Sequence, residues 1–283
     1  ALPQTAPAST RAADPVAISG ATPYSDAKCD NEALGGTVYK NSELEPFLGV
    51  NPTDPNNLIG VYQQDRWSNG GSRGNAASIS LDGGTTWTVK TFQKLTKCTD
   101  GPWARATDPW VTFSPNGTAY AMHLVFDNFP PPNRPGGEAP NAMVVARSTN
   151  GGVDWSDPLT LIKDVSPRLF NDKNSMTADP TDSMYVYGVW DRLSTPTGYL
   201  NNPERTFGLG FKGPALFART TSGGLSWEPV KTIYDPGANN QTIGNQIVVG
   251  KTGRLFDFFD EILNFRTANG GTRSLYNLAY VYS

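Results

Sequence analysis

Ser80-Leu81-Asp82-Gly83-Gly84-Thr85-Thr86-Trp87 decides the fold, because the pattern occurs three times. It returns as Ser148-Thr149-Asn150-Gly151-Gly152-Val153-Asp154-Trp155 and as Thr220-Thr221-Ser222-Gly223-Gly224-Leu225-Ser226-Trp227. The copies start at residues 80, 148 and 220, a near-constant interval that marks a repeat architecture. A short polar residue (Asp82, Asn150, Ser222) is placed to bond its own backbone two residues on, and the two glycines after it supply positive φ. The Trp that follows is a large anchor for the strand leaving the turn. Each copy therefore reads as a hairpin loop with a side-chain plug, a structural element rather than a catalytic one.

A second repeat runs in phase with the first: an apolar strand, a turn rich in Pro, Asp and Gly, then another apolar strand. The copies are Phe47–Val50 with Leu58–Tyr62, Trp110–Phe113 with Thr118–Phe126, Ser175–Ala178 with Met184–Trp190, and Gln246–Val249 with Arg254–Phe259. The second strand of each pair is apolar on both faces, as expected between two neighbouring sheets. Third strands (Ala76–Ser80, Ala142–Ser148, Ala215–Thr220) and fourth strands (Thr88–Phe92, Leu159–Ile162, Val230–Ile233) flank the three Gly-Gly turns. Four antiparallel strands per repeat is the build of a propeller blade. The fourth repeat stops in its third strand, at Leu278-Ala279-Tyr280-Val281-Tyr282-Ser283.

The triple motif resembles the Asp-box, or BNR repeat, of the sialidase-like β-propellers, whose consensus is Ser-x-Asp-x-Gly-x-x-Trp. The resemblance covers residues 43–283. It implies an all-β propeller of the six-bladed type, with this chain supplying about four blades (43–93, 105–163, 172–234 and an incomplete 241–283). Residues 1–42 are expected to form an N-terminal arm, with Val16-Ala17-Ile18 as a candidate strand completing the last blade. A C-terminal remainder of the same propeller is one expected partner.

Composition narrows the function. The 283 residues carry 29 Gly, 23 Pro and a net charge of −3, which argues against a nucleic-acid partner. No apolar run is long enough to span a membrane. The start, Ala1-Leu2-Pro3-Gln4-Thr5, looks like a mature terminus left by signal-peptide removal, and Asn116-Gly117-Thr118 and Asn240-Gln241-Thr242 are glycosylation acceptor patterns. Cys29 and Cys98 are expected to pair and tie the arm to the first blade. These features suggest a secreted protein. No metal site or cofactor is expected.

Strand order places the residues before each innermost strand and after each second strand at one end of the channel, opposite the Gly-Gly turns. Before the innermost strands stand Glu45; Arg105, Thr107 and Asp108; Asn171, Asp172, Lys173 and Asn174; and Gln241 and Asn245. After the second strands stand Asp65 and Arg66, Asp127 and Asn128, Asp191 and Arg192, and Asp260 and Glu261. From this rim come the candidate catalytic residues Asp65, Asp108, Asp191 and Glu261. The candidate substrate-binding residues are Arg66, Arg105, Asp172, Lys173, Trp190, Arg192, Gln241 and Asn245. Asp108 is the first choice for a general acid, because Pro109 and Trp110 make its surroundings rigid and apolar. Trp67, Trp103, Trp190 and Tyr199 are candidate platforms for sugar rings. The alternative for the charged residues is that they pair with one another to stitch the blades.

Carboxylates, arginines and aromatics together suit an acidic sugar, and with the sialidase-like resemblance the expected activity is exo-acting glycoside hydrolysis of an acidic or plant-type glycan. The family resemblance implies an arginine triad gripping the sialic acid carboxylate, an Asp acid/base and a Tyr–Glu nucleophile. The family's Arg-Ile-Pro is absent near the first blade, where Arg66 is the nearest substitute. Two other readings stand beside hydrolysis: a lyase on a uronate-containing glycan, which needs a His, Tyr or Lys base, and a non-catalytic glycan-binding propeller. His123, the single histidine, lies inside a second strand and reads either as a buried core residue or as that base.

Overall fold

The computed structural model describes residues 14–29, 36–127, 140–166, 168–194 and 212–283. Four antiparallel meanders follow one another along the chain. Sheet 1 is β1 (Val38–Val50), β2 (Leu58–Trp67), β3 (Ser72–Ser80) and β4 (Thr88–Thr91). Sheet 2 is β5 (Arg105–Phe113), β6 (Ala119–Phe126), β7 (Asn141–Ser148) and β8 (Leu159–Asp164). Sheet 3 is β9 (Leu169–Ala178), β10 (Val186–Ser194), β11 (Ala215–Thr220) and β12 (Lys231–Tyr234). Sheet 4 has three strands: β13 (Gln241–Val249), β14 (Leu255–Arg266) and β15 (Thr272–Tyr282). The innermost strands β1, β5, β9 and β13 lie side by side in that order.

Strand β6 shows why the sheets stack. Every one of its residues is buried, so both faces need a partner. Its alternation supplies two sets of side chains. Ala119, Ala121 and Val125 join Ile59, Val61, Ala77 and Ile79 of sheet 1. Tyr120, Met122, Leu124 and Phe126 join Met176, Val186, Trp190 and Leu216 of sheet 3. His123 belongs to the first face. It is fully buried, its ring meets Phe92 edge-on at 4.3 Å, and its Nδ1 lies 3.1 Å from Asn75 Nδ2. Burial lowers its pKa to about 3, which keeps it neutral.

The three Gly-Gly turns share one hydrogen-bond scheme. In the first, Ser80 Oγ donates to Asp82 Oδ1 (2.8 Å) and accepts from Gly84 N (2.8 Å), while Thr86 N donates to Asp82 Oδ1 (2.9 Å). Ser148, Asn150, Gly152 and Asp154 repeat it, as do Thr220, Ser222, Gly224 and Ser226. The polar residue thus bonds the backbone four residues on, not two, because both glycines intervene at positive φ. The second glycine also has a packing reason. A Cβ on Gly152 would meet Ile59 at 2.6 Å, and one on Gly224 would meet Tyr120 at 2.5 Å. Each of these turns therefore leans on the preceding sheet, and Asn57 Nδ2 joins the two by donating to Ser80 O and Gly151 O. Trp87, Trp155 and Trp227 are half-buried, with Trp155 and Trp227 packed against the cores of the first two interfaces.

The segment near Ile18 does not complete sheet 4. It lies on sheet 1 without pairing as a strand. Ser78 Oγ donates to Ile18 O (2.8 Å), Thr22 Oγ1 to Asp65 Oδ2 (2.6 Å), and Tyr24 OH to Asn75 O (2.9 Å). The anchor is Tyr24, whose ring fills the space a side chain on Gly74 would take. The short helix Asp26–Cys29 follows, and Cys29 is disulfide-bonded to Cys98 with Cα atoms 4.7 Å apart. Among the described residues, no helix is long and apolar enough to cross a membrane.

Candidate active site

All four innermost strands are longer than their apolar pattern, because each crosses a bulge. The register slips between Leu44 and Phe47, between Thr107 and Trp110, between Asp172 and Ser175, and between Ile243 and Gln246. At each slip one residue takes positive φ: Glu45 (51°), Asp108 (45°), Lys173 (47°) and Gly244 (71°). Pro46 and Pro109 follow the first two and have no N–H for the ladder, which enforces the bulge locally. A non-glycine residue in this region costs about 1–3 kcal/mol. The fold holds three of them on adjacent strands, which makes the place the candidate site.

The bulges interlock. Asn174 Nδ2 donates to Asp108 O (2.9 Å), and Ser175 Oγ donates to Asn245 O (2.6 Å). Together Glu45, Phe47, Asp108, Trp110, Lys173 and Asn245 line a cleft of 270 Å³ with their bulge neighbours. Phe47 and Trp110 stack at 3.6 Å as one wall. The Lys173 ammonium sits 3.2 Å from Glu45 Oε1 and 3.4 Å from Asp108 Oδ2. Lys173 N donates to Asp108 Oδ2 at 3.2 Å and to Asp172 Oδ1 at 3.0 Å, so those two oxygens are no more than about 6.2 Å apart, close to the spacing of glycosidase carboxyl pairs.

The carboxyl groups differ in proton affinity. Burial pushes Asp108 up to about 7, with Asp172 and a hydrogen bond to Glu45 adding to it. Burial opposes ionisation of Glu45 too, but hydrogen bonds from Asp108, Lys173 and Gln63, with the Lys173 charge, hold it below the usual range. Burial raises Asp172, and it raises Asp191 well above the usual carboxylate value, with help from Asp172 and Asp108. Burial works against the charge on Lys173, yet Asp108, Glu45 and Asp172 outweigh it and raise its pKa. The two neighbouring carboxyls are therefore driven in opposite directions, Glu45 toward ionisation and Asp108 toward the protonated form.

The residues expected from sequence separate into groups. Asp108, Lys173 and Asn245 line the cleft, and Asp172 and Asp191 stand next to it. Asp191 is fully buried on β10 opposite Asp172, without a side-chain partner among the described residues. Asp65 is not brought there. Its carboxylate accepts from Thr22 Oγ1, Asn41 N (2.9 Å), Gln64 Nε2 (3.0 Å) and Arg73 (3.2 Å), so it fastens the N-terminal segment. Glu261 accepts from the Tyr234 hydroxyl and from Asn277 Nδ2 (3.2 Å) between sheets 3 and 4. That hydrogen bond, then burial, raises Tyr234 to about 12.

The three arginines lie outside the cleft lining, each with protein partners. Arg66 donates to Gln63 Oε1 (2.7 Å). Arg105 is 1 % exposed, lies over Trp67 and donates to Asn69 Oδ1 (2.7 Å) and Gly70 O (2.6 Å). Arg192 grips Asp164 through Nε (2.8 Å) and NH2. Trp190 is fully buried with its Nε1 on Asn171 Oδ1 (2.8 Å), so it is a core plug and no platform for a sugar. Trp67 and Trp103 are buried as well. Gln241 bridges Gly213 outside the cleft lining. Asn128 and Tyr199 lie outside the described residues. The sequence reading missed the Phe47–Trp110 wall and the central place of Glu45. The signal was present in Glu45-Pro46-Phe47 and Asp108-Pro109-Trp110, an acid-Pro-aromatic triplet repeated in phase.

No protein-family model matches the chain, and no curated protein matches it. Solved structures do. A Hadza microbial sialidase, Hz136, matches with TM-score 0.53 and 18% identity over 86% of this chain and 46% of its own. An α-L-arabinanase of Penicillium chrysogenum, complexed with arabinobiose, matches with TM-score 0.52 and 13% identity over 85% of this chain and 62% of its own. An α-L-arabinofuranosidase of Fusarium graminearum, also with arabinobiose, gives 0.51 and 12% over 93% and 64%. The chain thus shares an all-β, sialidase-like fold with glycoside hydrolases and spans roughly half to two thirds of their length.

Proposed function

We propose that the protein is a glycoside hydrolase whose reaction takes place in the cleft between the bulges of β1, β5 and β9. The observation that carries this reading is the split pair Glu45 and Asp108 in a cleft with an aromatic wall, one carboxyl held below the usual range beside Lys173 and its neighbour raised by burial. Environments that push two carboxyls apart assign their roles. Asp108, protonated, gives its proton to the glycosidic oxygen as the bond to the anomeric carbon breaks, and a water adds its oxygen to that carbon and gives up a proton to a cleft carboxylate, completing the hydrolysis. Glu45, or Asp172 on the other side of Asp108, faces the positive charge that develops on the sugar. Lys173 keeps Glu45 ionised.

The lyase reading has less support. His123 is buried, neutral and on the sheet 1 side of β6, and Lys173 is held protonated, so neither is a ready base. The surrounding architecture is proposed to be a secreted Asp-box propeller. Its support is the threefold Gly-Gly turn, the Cys29–Cys98 disulfide, and the apolar side chains left exposed on the end strands, Leu48 on β1 and Leu278 on β15 among them. Further sheets of the propeller would cover those strands.

The test is a leaving-group comparison. Asp108→Asn should lower kcat on a natural glycan by about 10²–10⁴-fold and on an activated aryl glycoside far less, since a good leaving group needs little protonation. Equal losses on both substrates would remove Asp108 from the acid role.

A further inference from the structure

Hydrogen-bonding polarity decides which sugars a cleft can hold. A carboxylate-bearing sugar needs donors and positive charge, whereas an uncharged sugar brings hydroxyl donors of its own and needs acceptors. The cleft is rich in acceptors. Glu45 and Asp108 line it, Asp172 stands beside it, and Lys173 is its one cation among the described lining residues. The Lys173 charge is already bracketed by Glu45 and Asp108. Arg66, Arg105 and Arg192 are outside the lining and bond to Gln63, to Asn69 and Gly70, and to Asp164.

Two amides add to this. Asn174 and Asn245 are 4 % and 1 % exposed, and the Oδ1 of each has no hydrogen-bond partner among the described residues. Their orientation is fixed by their neighbours. Asn174 faces the carbonyl of Asp108, which only accepts, so its NH2 must point there. Asn245 faces Thr242 Oγ1 (3.3 Å), whose own proton goes to Gly213 O (3.2 Å), so the NH2 must point there as well. Both oxygens are therefore unmatched acceptors inside the cleft wall, closed to solvent, and they add to its negative potential rather than offering an open contact. The Phe47–Trp110 wall supplies an apolar surface for the face of a ring.

We infer that the cleft selects an uncharged sugar and excludes sialic acids and uronates. The inference rests on the hydrolase reading of the same cleft, but it concerns binding and is separable from turnover. An anionic sugar would bring a further negative charge against Glu45, with the Lys173 charge already shared between Glu45 and Asp108.

The experiment uses the full chain on a glycan array carrying neutral glycans together with sialylated and uronate-bearing ones. Titration calorimetry then compares a neutral galactan oligomer, arabinobiose and the matched galacturonan oligomer. Neutral glycans should bind, with acidic counterparts at least about tenfold weaker, and raising NaCl from about 50 to about 500 mM should change the neutral affinity less than about twofold. Glu45→Gln, which removes the charge an acidic sugar meets, should narrow the gap between neutral and acidic glycans to under about threefold. An acidic glycan bound by the parent as well as its neutral counterpart, or no neutral glycan bound at all, would overturn the inference, whatever the variant does. Neutral binding without any cleavage would keep the inference and remove the hydrolase reading. Cleavage of a sialoside or uronide would do the reverse.

Discussion

Replacing Asp65 by Ala separates scaffold from chemistry at a position where the sequence alone suggested chemistry. Asp65 is fully buried and Arg73, which it meets at 3.2 Å, is 1 % exposed. Removing one partner of a buried ion pair leaves an uncompensated charge and costs about 3–5 kcal/mol. The released donors of Thr22, Asn41 and Gln64 add to that cost, because Asn41 and Thr22 hold the N-terminal segment on sheet 1. Arg73 retains Asp26 at 2.9 Å, an exposed partner, which offsets part of the loss. A net loss of about 3–5 kcal/mol in a chain of this size lowers Tm by roughly 10 °C. Calorimetric melting and urea titration read the stability, and turnover measured well below the new Tm reads the chemistry. The account predicts lost stability with kcat of the folded enzyme nearly unchanged. A variant that melts within 2 °C of the parent, or one that keeps its Tm and loses turnover, would refute the assignment of Asp65 to the scaffold.

Other outcomes follow from the same structure. Asp108 is raised to about 7, so kcat/KM should fall as pH rises through about 7, and an alkaline limb near 9 would rule out Asp108 as the acid. Asp257 is 3 % exposed, has no side-chain partner among the described residues and is also pushed up to about 7 by burial. A raised carboxyl gives stability that is present below the unfolded pKa near 4 and lost as pH climbs to 7. Asp257→Asn should therefore match the parent at pH 4 and exceed it at pH 8 in urea titrations, and the opposite order would contradict this. Cys29→Ser should cost about 4 kcal/mol, because the bond closes a loop of 69 residues, and a loss under 1 kcal/mol would show the closure to be unimportant.

Much of the fold was legible because the sequence repeats itself. The Gly-Gly-x-x-Trp turns, the apolar second strands and the meander order all follow from local chemistry copied three or four times, and the structure keeps them. The bulges were hidden for a physical reason. A slip of register interrupts the period-two pattern, so the residues on the far side of each slip read as loop rather than strand. Glu45 and Asp172 consequently looked like rim residues, although each belongs to an innermost strand. Partnering was also hidden. Arg192 beside Asp191 suggests a neighbourly pair, but alternation sends the two side chains to opposite faces, and Arg192 finds Asp164 instead. Trp190 has the composition of a sugar platform, and only its place between sheets 2 and 3 shows it to be core.

The central claim is that sugar chemistry belongs to the bulge cleft. The most direct measurement is a crystal structure of the full chain with a non-hydrolysable thioglycoside of the best-binding glycan. The account predicts the ring against the Phe47–Trp110 wall, with the glycosidic sulfur about 3.2–4.0 Å from an Asp108 oxygen, longer than the ~2.6–3.2 Å expected of an oxygen there. The Glu45 carboxylate should lie on the anomeric carbon's other side. A sugar seated instead at the Gly-Gly turns, or held by Arg66, Arg105 or Arg192 away from Asp108, would contradict it.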